Sequence, residues 1–483
     1  MTAITSTSEP EQPAAPGPPL VELRAALAGT LVLPGDATWD DARAPWVRGI
    51  DQQPVAVAAA ASVADVVATV RFAARHGLAV AAQPRGHGAT GRLANAILLR
   101  TGALDSIEVD VSGRTARVGA GVAWGSLLSA LDGTGLIALP GSNPLVSVVG
   151  FCLGGGLSWF GRAFGTGARA VRAAEVADAS GELRWVTADS DPELLWALRG
   201  GGGDFAVVTA VEIDLFEAPD LYGGRLVFPG TAARAVFAAF ADVTRSAPDE
   251  LTLWASVMHV PDAPPFPAEL RGQSLAIVDV MGVGTAHTIE ALIAPVRAAG
   301  EVVRETVRAL RPSDVGGVAE EPTEMSTPGL GEALALSTLD DAAIERLLDV
   351  AGPGSGTALL MVQVRHLDGV LSEATTIAGA AVRVEAPYLV NSLGVLADPA
   401  LEPALRAGID AVRDALRPLV TPELVLTFVG AHGSITDAFG AATVERLRAV
   451  KHSVDPSGVF RSNYPVLDER PVLATAPARA ARP

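Results

Sequence analysis

The chain contains one cysteine, Cys152, one lysine, Lys451, and three tyrosines, Tyr222, Tyr388 and Tyr464, among 483 residues. A single cysteine excludes an intrachain disulfide and a cysteine-built metal centre. The seven histidines are scattered, and none form the i, i+4 pair of a zinc helix, so no metal site is expected. Positive charge is scarce as well. The formal net charge of -18 repels phosphate backbones and anionic lipid, which argues against nucleic acid or a membrane surface as partner. No apolar run reaches the length of a membrane span without Gly, Pro or charge interrupting it. The first residues show no basic segment followed by an apolar one, so no secretory signal is read there and the expected location is the cytoplasm. Scarce lysine beside abundant arginine and alanine reads as codon bias, without mechanistic content.

What is present is apolar: hydrophobic residues make up 49% of the chain, enough to bury two or three lobes. Residues 1–19 and 471–483 have the composition of disordered tails. A strand is predicted over 54–60. A helix follows, with Ser62 as N-cap and Gly77 as its stop. A second strand, 78–82, runs directly into a loop at 83–91. This β-α-β order predicts a mixed α/β unit. From about residue 221, long, weakly polar strands are predicted at 251–260, 274–282, 359–366, 388–396 and 424–430. Helices at 288–299, 342–350 and 401–416 separate them. That alternation predicts an antiparallel sheet covered by helices, and hence an α+β chain. The divisions fall at 20–220, 221–425 and 426–470.

Four segments carry chemistry. In Gln83-Pro84-Arg85-Gly86-His87-Gly88-Ala89-Thr90-Gly91, three glycines flank one histidine at the end of a buried strand. Glycines let the backbone approach a ligand and turn amides towards an anion such as a pyrophosphate. A surface turn with an incidental histidine is the plain alternative. In Gly150-Phe151-Cys152-Leu153-Gly154-Gly155-Gly156-Leu157-Ser158-Trp159, the apolar flanks argue against a flexible linker. Cys152 reads as a small buried filler. A third run, Leu198 to Thr209, again feeds glycines into an apolar strand. It matches neither a P-loop nor a dinucleotide Rossmann turn. The fourth, 444–464, is an amphipathic helix and a tight turn, with the Asn463 amide free to hydrogen-bond a polar ring. Three glycine clusters on one α/β unit point to an extended, phosphate-bearing ligand.

In their order these segments resemble the berberine bridge enzyme-like FAD-linked oxidases of the vanillyl-alcohol oxidase superfamily. The likeness runs from about residue 54 to 466. Between 221 and 425 it rests mainly on Val362-Gln363-Val364-Arg365-His366-Leu367-Asp368-Gly369. The resemblance implies a PCMH-type FAD-binding domain of two α/β subdomains, completed by the C-terminal segment, and a substrate domain over the flavin ring. It places the histidine bonded to the flavin 8α-methyl on His87. The pyrophosphate loops fall on Arg85, Gly86, Gly88 and Gly91, and on Gly141, Ser142, Gly150, Gly154 and Gly155. The adenine-side strand falls on Val207 and Val208, and the flavin-side asparagine on Asn463. Relatives often carry a second, cysteinyl bond, but that position holds Asn143 here, so a single link to FAD is expected. The position gating dioxygen falls on Val148, as in oxidases, although the glycine before it is Ser147 here.

The implied activity is hydride transfer from an alcohol, sugar or natural-product intermediate to flavin N5. Dioxygen would take the electrons and leave as hydrogen peroxide. A dehydrogenase with another acceptor and a flavin-dependent cyclase or isomerase are the alternatives. Hydride transfer calls for an oriented carbon and a base. Tyr388, His366 and Tyr464 are the catalytic candidates, with Arg365, Asn391, Trp254 and His259 behind them. Arg365 and His366 are neighbours on one strand and therefore point to opposite faces.

Overall fold

The computed structural model describes residues 19–262, 268, 270–324, 328–422 and 424–467. Apart from Pro19, both expected tails lie outside the described residues. Short, mostly apolar strands open the fold. Ala56–Ala59 and Ala79–Ala82 flank Ala96–Arg100 in parallel, and Thr30–Val32 adds an antiparallel edge. Helix Val63–His76 connects the first two, and Gly77 ends it in the left-handed region at φ 66°. Its expected cap differs in one respect: the Ser62 side chain makes no capping bond. The buried Asp65 carboxylate in its first turn accepts the N–H groups of Ala28, Gly29 and Ala61, outside the helix, at 2.8, 2.9 and 2.8 Å.

A second, antiparallel sheet runs in the order Ile107–Asp110, Thr115–Gly119, Val207–Asp214, Val171–Ala177, Leu183–Val186. The third sheet is larger and also antiparallel. Its order is Arg304–Glu305, Leu221–Pro229, Ser274–Val283, Leu251–His259, Met361–His366, Tyr388–Val395, Gly329–Leu336, with Arg308–Leu310 pairing alongside Leu221–Pro229. Helices Ala233–Thr244, Ala286–Arg297, Asp341–Ala351 and Glu402–Leu416 cover one face and share a core with it. The opposite face meets the first half of the chain. There the Trp254 ring stacks on Trp159 at 3.4 Å. The buried Arg162 guanidinium ties the halves further, donating to the carbonyls of Leu251, Ala247 and Leu367.

Two segments depart from expectation. Residues 424–430 form no strand but a tight turn, Leu426–Phe428. The Thr427 N–H is drawn to the Gly154 carbonyl at 3.2 Å, and no neighbouring strand pairs with the segment. The weakly polar run favoured a strand; tertiary contacts decided otherwise. Conversely, Val148–Leu153 is a short helix inside the glycine-rich stretch. Five of its six residues are buried, so it shows no amphipathic period.

The chain end returns to the first sheet. After helix Ala441–Val454, the Val80 N–H donates to the Val459 carbonyl at 2.7 Å and the Arg461 N–H donates to the Val80 carbonyl at 3.0 Å. Leu426, Val429, Leu447, Phe460, Tyr464 and Val466 thus join the same core as residues 23–215. No helix among the described residues is long and apolar enough to cross a membrane.

Candidate active site

The loop 83–91 leaves strand Ala79–Ala82 beside this returning segment. It is pinned from both sides. The Gln83 side chain accepts from Arg100 at 2.7 Å, and the Trp46 N–H donates to the Arg85 carbonyl at 2.8 Å. Gly86 has φ 86°, and a Cβ there would lie 2.7 Å from the Gln83 side-chain oxygen and 2.8 Å from Pro45. Both the turn and the close approach therefore demand glycine. The His87 ring lies against Trp46, with centroids 5.0 Å apart and planes 22° from parallel. Its Nε2 is buried without a hydrogen-bond partner. Burial, with the Arg85 charge adding, pushes the imidazole pKa down to about 4, so the ring is neutral at pH 7.

Asn463 arrives at the other side of this loop. Its backbone carbonyl accepts from Thr90 Oγ1 and from Arg92, each at 3.0 Å. A Cβ on Gly88 would sit 3.6 Å from the Asn463 amide nitrogen. Two bonds brace the asparagine from below. The Asp204 carboxylate accepts the N–H groups of Ser462 and Val466 at 3.0 and 3.1 Å. Arg92 and Tyr464 extend the contact to residues 429–433: Arg92 donates to the Gly433 carbonyl at 2.7 Å, and the Tyr464 hydroxyl donates to the Val429 carbonyl. Burial raises the Tyr464 pKa to about 12. A phenol committed to a carbonyl, with its pKa so raised, is a strut for Asn463 and not a base.

Strand parity sorts the remaining candidates. Arg365 pairs across the sheet with Trp254 and Leu389, on the face that meets Trp159 and Leu157. Gln363 and Asn391 are paired on that same face. His366 and Tyr388 pair with each other on the opposite, helix-covered face. The Tyr388 hydroxyl bonds Thr244 Oγ1 at 2.9 Å, and its ring lies near Phe240 and His366. This corrects the expectation for both residues: they are packed under the helices, turned away from the inter-lobe face. His259 is also committed elsewhere, at 2.9 Å from Ser274 and 3.0 Å from the Ala351 carbonyl.

Residues 54–187 match the FAD binding domain family. Over 465 residues the chain is 28% identical to (R)-6-hydroxynicotine oxidase of Paenarthrobacter nicotinovorans, covering 91% of this chain and 96% of that one. The chain is an FAD-linked oxidoreductase. Its fold agrees with that of 6-hydroxy-D-nicotine oxidase from Arthrobacter nicotinovorans, with a TM-score of 0.77 at 24% identity, covering 92% of this chain and 98% of that one. Berberine bridge enzyme from Eschscholzia californica superposes with a TM-score of 0.78 at 16% identity, with 92% and 98% covered.

The residues of this oxidoreductase suit its cofactor. The orphaned His87 Nε2 offers a bonding atom, and Gly88 and Gly150 are exposed with room where a Cβ would stand. The other expected glycines are used differently. A Cβ on Gly141 would strike the Phe151 ring at 2.9 Å, on Gly154 Thr427 at 2.7 Å, and on Gly155 Val425 at 2.7 Å. These three glycines let protein segments close on one another. Ser142, Val148, Val207 and Val208 are buried, and Arg85 is exposed. Gly91 is left-handed at φ 77°. Asn143 is engaged at both ends of its amide, with the Leu145 N–H at 2.9 Å and the Pro322 carbonyl at 3.2 Å. Trp46 had no sequence signal, since it is a lone aromatic about 40 residues before the loop. Asp204 and Thr427 lay within quoted or predicted segments, but only folding shows what they hold.

Proposed function

We propose that this protein is an oxidase that holds FAD between the 83–91 loop and Asn463, through one bond from His87, and oxidises a small organic molecule placed against the sheet face of Gln363, Arg365 and Asn391. FAD held there would supply a two-electron acceptor for the substrate's hydride, and its reoxidation by dioxygen, with two protons, would give hydrogen peroxide. The observation that carries the reading is His87: a neutral imidazole, oriented by Trp46, with a buried nitrogen lacking any partner. A neutral ring offers the lone pair that bond formation to the cofactor requires, which a protonated ring does not. The Asn143 amide is no nucleophile and is already hydrogen-bonded, which supports a single attachment. The relatives' names as oxidases favour dioxygen as acceptor. Trp159, Trp254 and Phe428 supply apolar walls near this face and would exclude water from it.

The test is acid precipitation of purified protein. Yellow colour should stay with the pellet in wild type and pass to the supernatant in His87→Ala. Retention of colour by His87→Ala would refute the anchor. Oxygen uptake during turnover, with peroxide formed in equal amount, is expected; turnover that proceeds only with an added dye would establish a dehydrogenase.

A further inference from the structure

Three arginines are buried in the described residues, and they differ in what surrounds them. Arg225 grips Asp279 through Nε and Nη2, at 2.6 and 3.1 Å. Arg162 is saturated by backbone carbonyls. Arg365 is only 7% exposed, yet among the described residues it forms no ion pair. Its Nε donates to the Gln363 side-chain oxygen at 2.7 Å, and no hydrogen bond from either terminal nitrogen is found among the described residues. Two carboxylates act on it from beyond ion-pair distance: Glu321, and Asp279, which Arg225 holds.

The guanidinium is also held in place. Its carbon lies 3.8 Å from the Trp254 ring centroid and 5.1 Å from that of Phe428. Gln363 is fixed in turn by Ser256 at 3.3 Å. Phe428 belongs to the turn that touches Gly154 and, through Val429, Tyr464. Arg365 thus stands on the wall that continues to Asn463 and the His87 loop. Burial draws its pKa down to about 10, which still leaves it charged at pH 7. A buried cation with only distant carboxylates and no direct ion pair is favoured by an anion that joins it. Arginine stacked on aromatic rings, with two nitrogens free, is shaped for bidentate capture of a carboxylate.

We infer that the substrate of this oxidoreductase is an organic carboxylate, and that Arg365 binds its carboxylate group between Trp254 and Phe428. The inference deepens the proposed function and rests on its placement of substrate against this face. Neutral alcohols and sugars would leave the guanidinium without a direct ion pair, so they should be poor substrates beside their acid counterparts.

Benzoate and its neutral isostere benzamide serve as probes, added to the purified holoenzyme. Binding is followed by perturbation of the flavin absorption spectrum and, independently of colour, by thermal shift. Benzoate should bind saturably and at least about ten-fold more tightly than benzamide, the scale of one charge-assisted contact. Arg365→Met should remove that preference. Gln363→Glu should do the same while keeping the arginine, because the new carboxylate would occupy the guanidinium; it decides the matter if Arg365→Met does not fold. Equal binding of the two probes overturns the inference, as does an unchanged benzoate preference in Gln363→Glu. If Arg365→Met shifts the flavin potential but spares the preference, the charge serves the cofactor and the inference falls. Colourless wild-type protein that still shows the benzoate thermal shift would overturn the cofactor placement alone.

Discussion

The Lys451 ammonium stands 3.8 Å from the Asp204 carboxylate, with both side chains almost wholly buried. It also bonds Asp455 at 2.7 Å and the Phe460 carbonyl at 2.9 Å, and donates to the backbone carbonyl of Asp204. Asp455 in turn accepts the N–H groups of Val459 and Phe460, both at 2.8 Å. The chain's one lysine thus joins the glycine-run strand to the segment that delivers Asn463. Burial raises the Asp204 carboxyl, and the Lys451 charge opposes that shift.

Breaking this cluster should cost stability and cofactor together. Lys451→Met leaves two buried carboxylates without their cation, a loss of about 3–5 kcal/mol. The expected result is a lower urea midpoint and a lower flavin-to-protein absorbance ratio. A variant with wild-type midpoint and full flavin content would show the cluster to be incidental.

Tyr388→Phe separates a core role from a catalytic one. The hydroxyl meets Thr244 beneath the helices, so its removal should cost about 1 kcal/mol of stability. Turnover should change by less than about two-fold, since no interaction specific to the transition state is removed. A fall in kcat of about ten-fold or more, with the melting curve unchanged, would return Tyr388 to the active site.

His366 should set part of the acid limit of stability. Burial, with the Arg162 charge adding, lowers its pKa from 6.5 to about 2. Between those values the unfolded chain carries a proton that the folded chain refuses. The stabilisation is therefore complete above pH 6.5 and is lost as pH falls towards 2. At about 1.4 kcal/mol per pH unit, a drop from pH 6.5 to 4.5 removes about 2–3 kcal/mol. Urea midpoints of wild type and His366→Phe, compared at pH 7.5 and 4.5, measure it. The variant should lose less than wild type on acidification; equal losses would contradict the assignment.

Elements whose pattern is set by near neighbours were legible in the sequence. Ser62 to Gly77 bracketed a helix because a β-region N-cap and a left-handed stop are local events, although the Ser62 side chain makes no capping bond. The histidine in its glycine loop was legible for the same reason: Gly86 needs its left-handed turn whatever lies beyond it. Elements without local contrast were not. Val148–Leu153 is apolar on every side, and 424–430 is a weakly polar run like a strand's but has no strand to pair with.

The amino-acid order alone determined that Arg365 and His366 point to opposite sides of one strand, since successive side chains alternate in any β-structure. Which side meets the cofactor-binding half was decided only when the helices between the strands packed on one face of the sheet. They covered His366 and Tyr388 and left Arg365, Gln363 and Asn391 towards the other lobe. Likewise, His87 was singled out by its flanking glycines, but its partners Trp46 and Asn463 come from remote parts of the chain. Those contacts depend on buried packing and on the Lys451–Asp204 cluster, which no local rule along the sequence specifies.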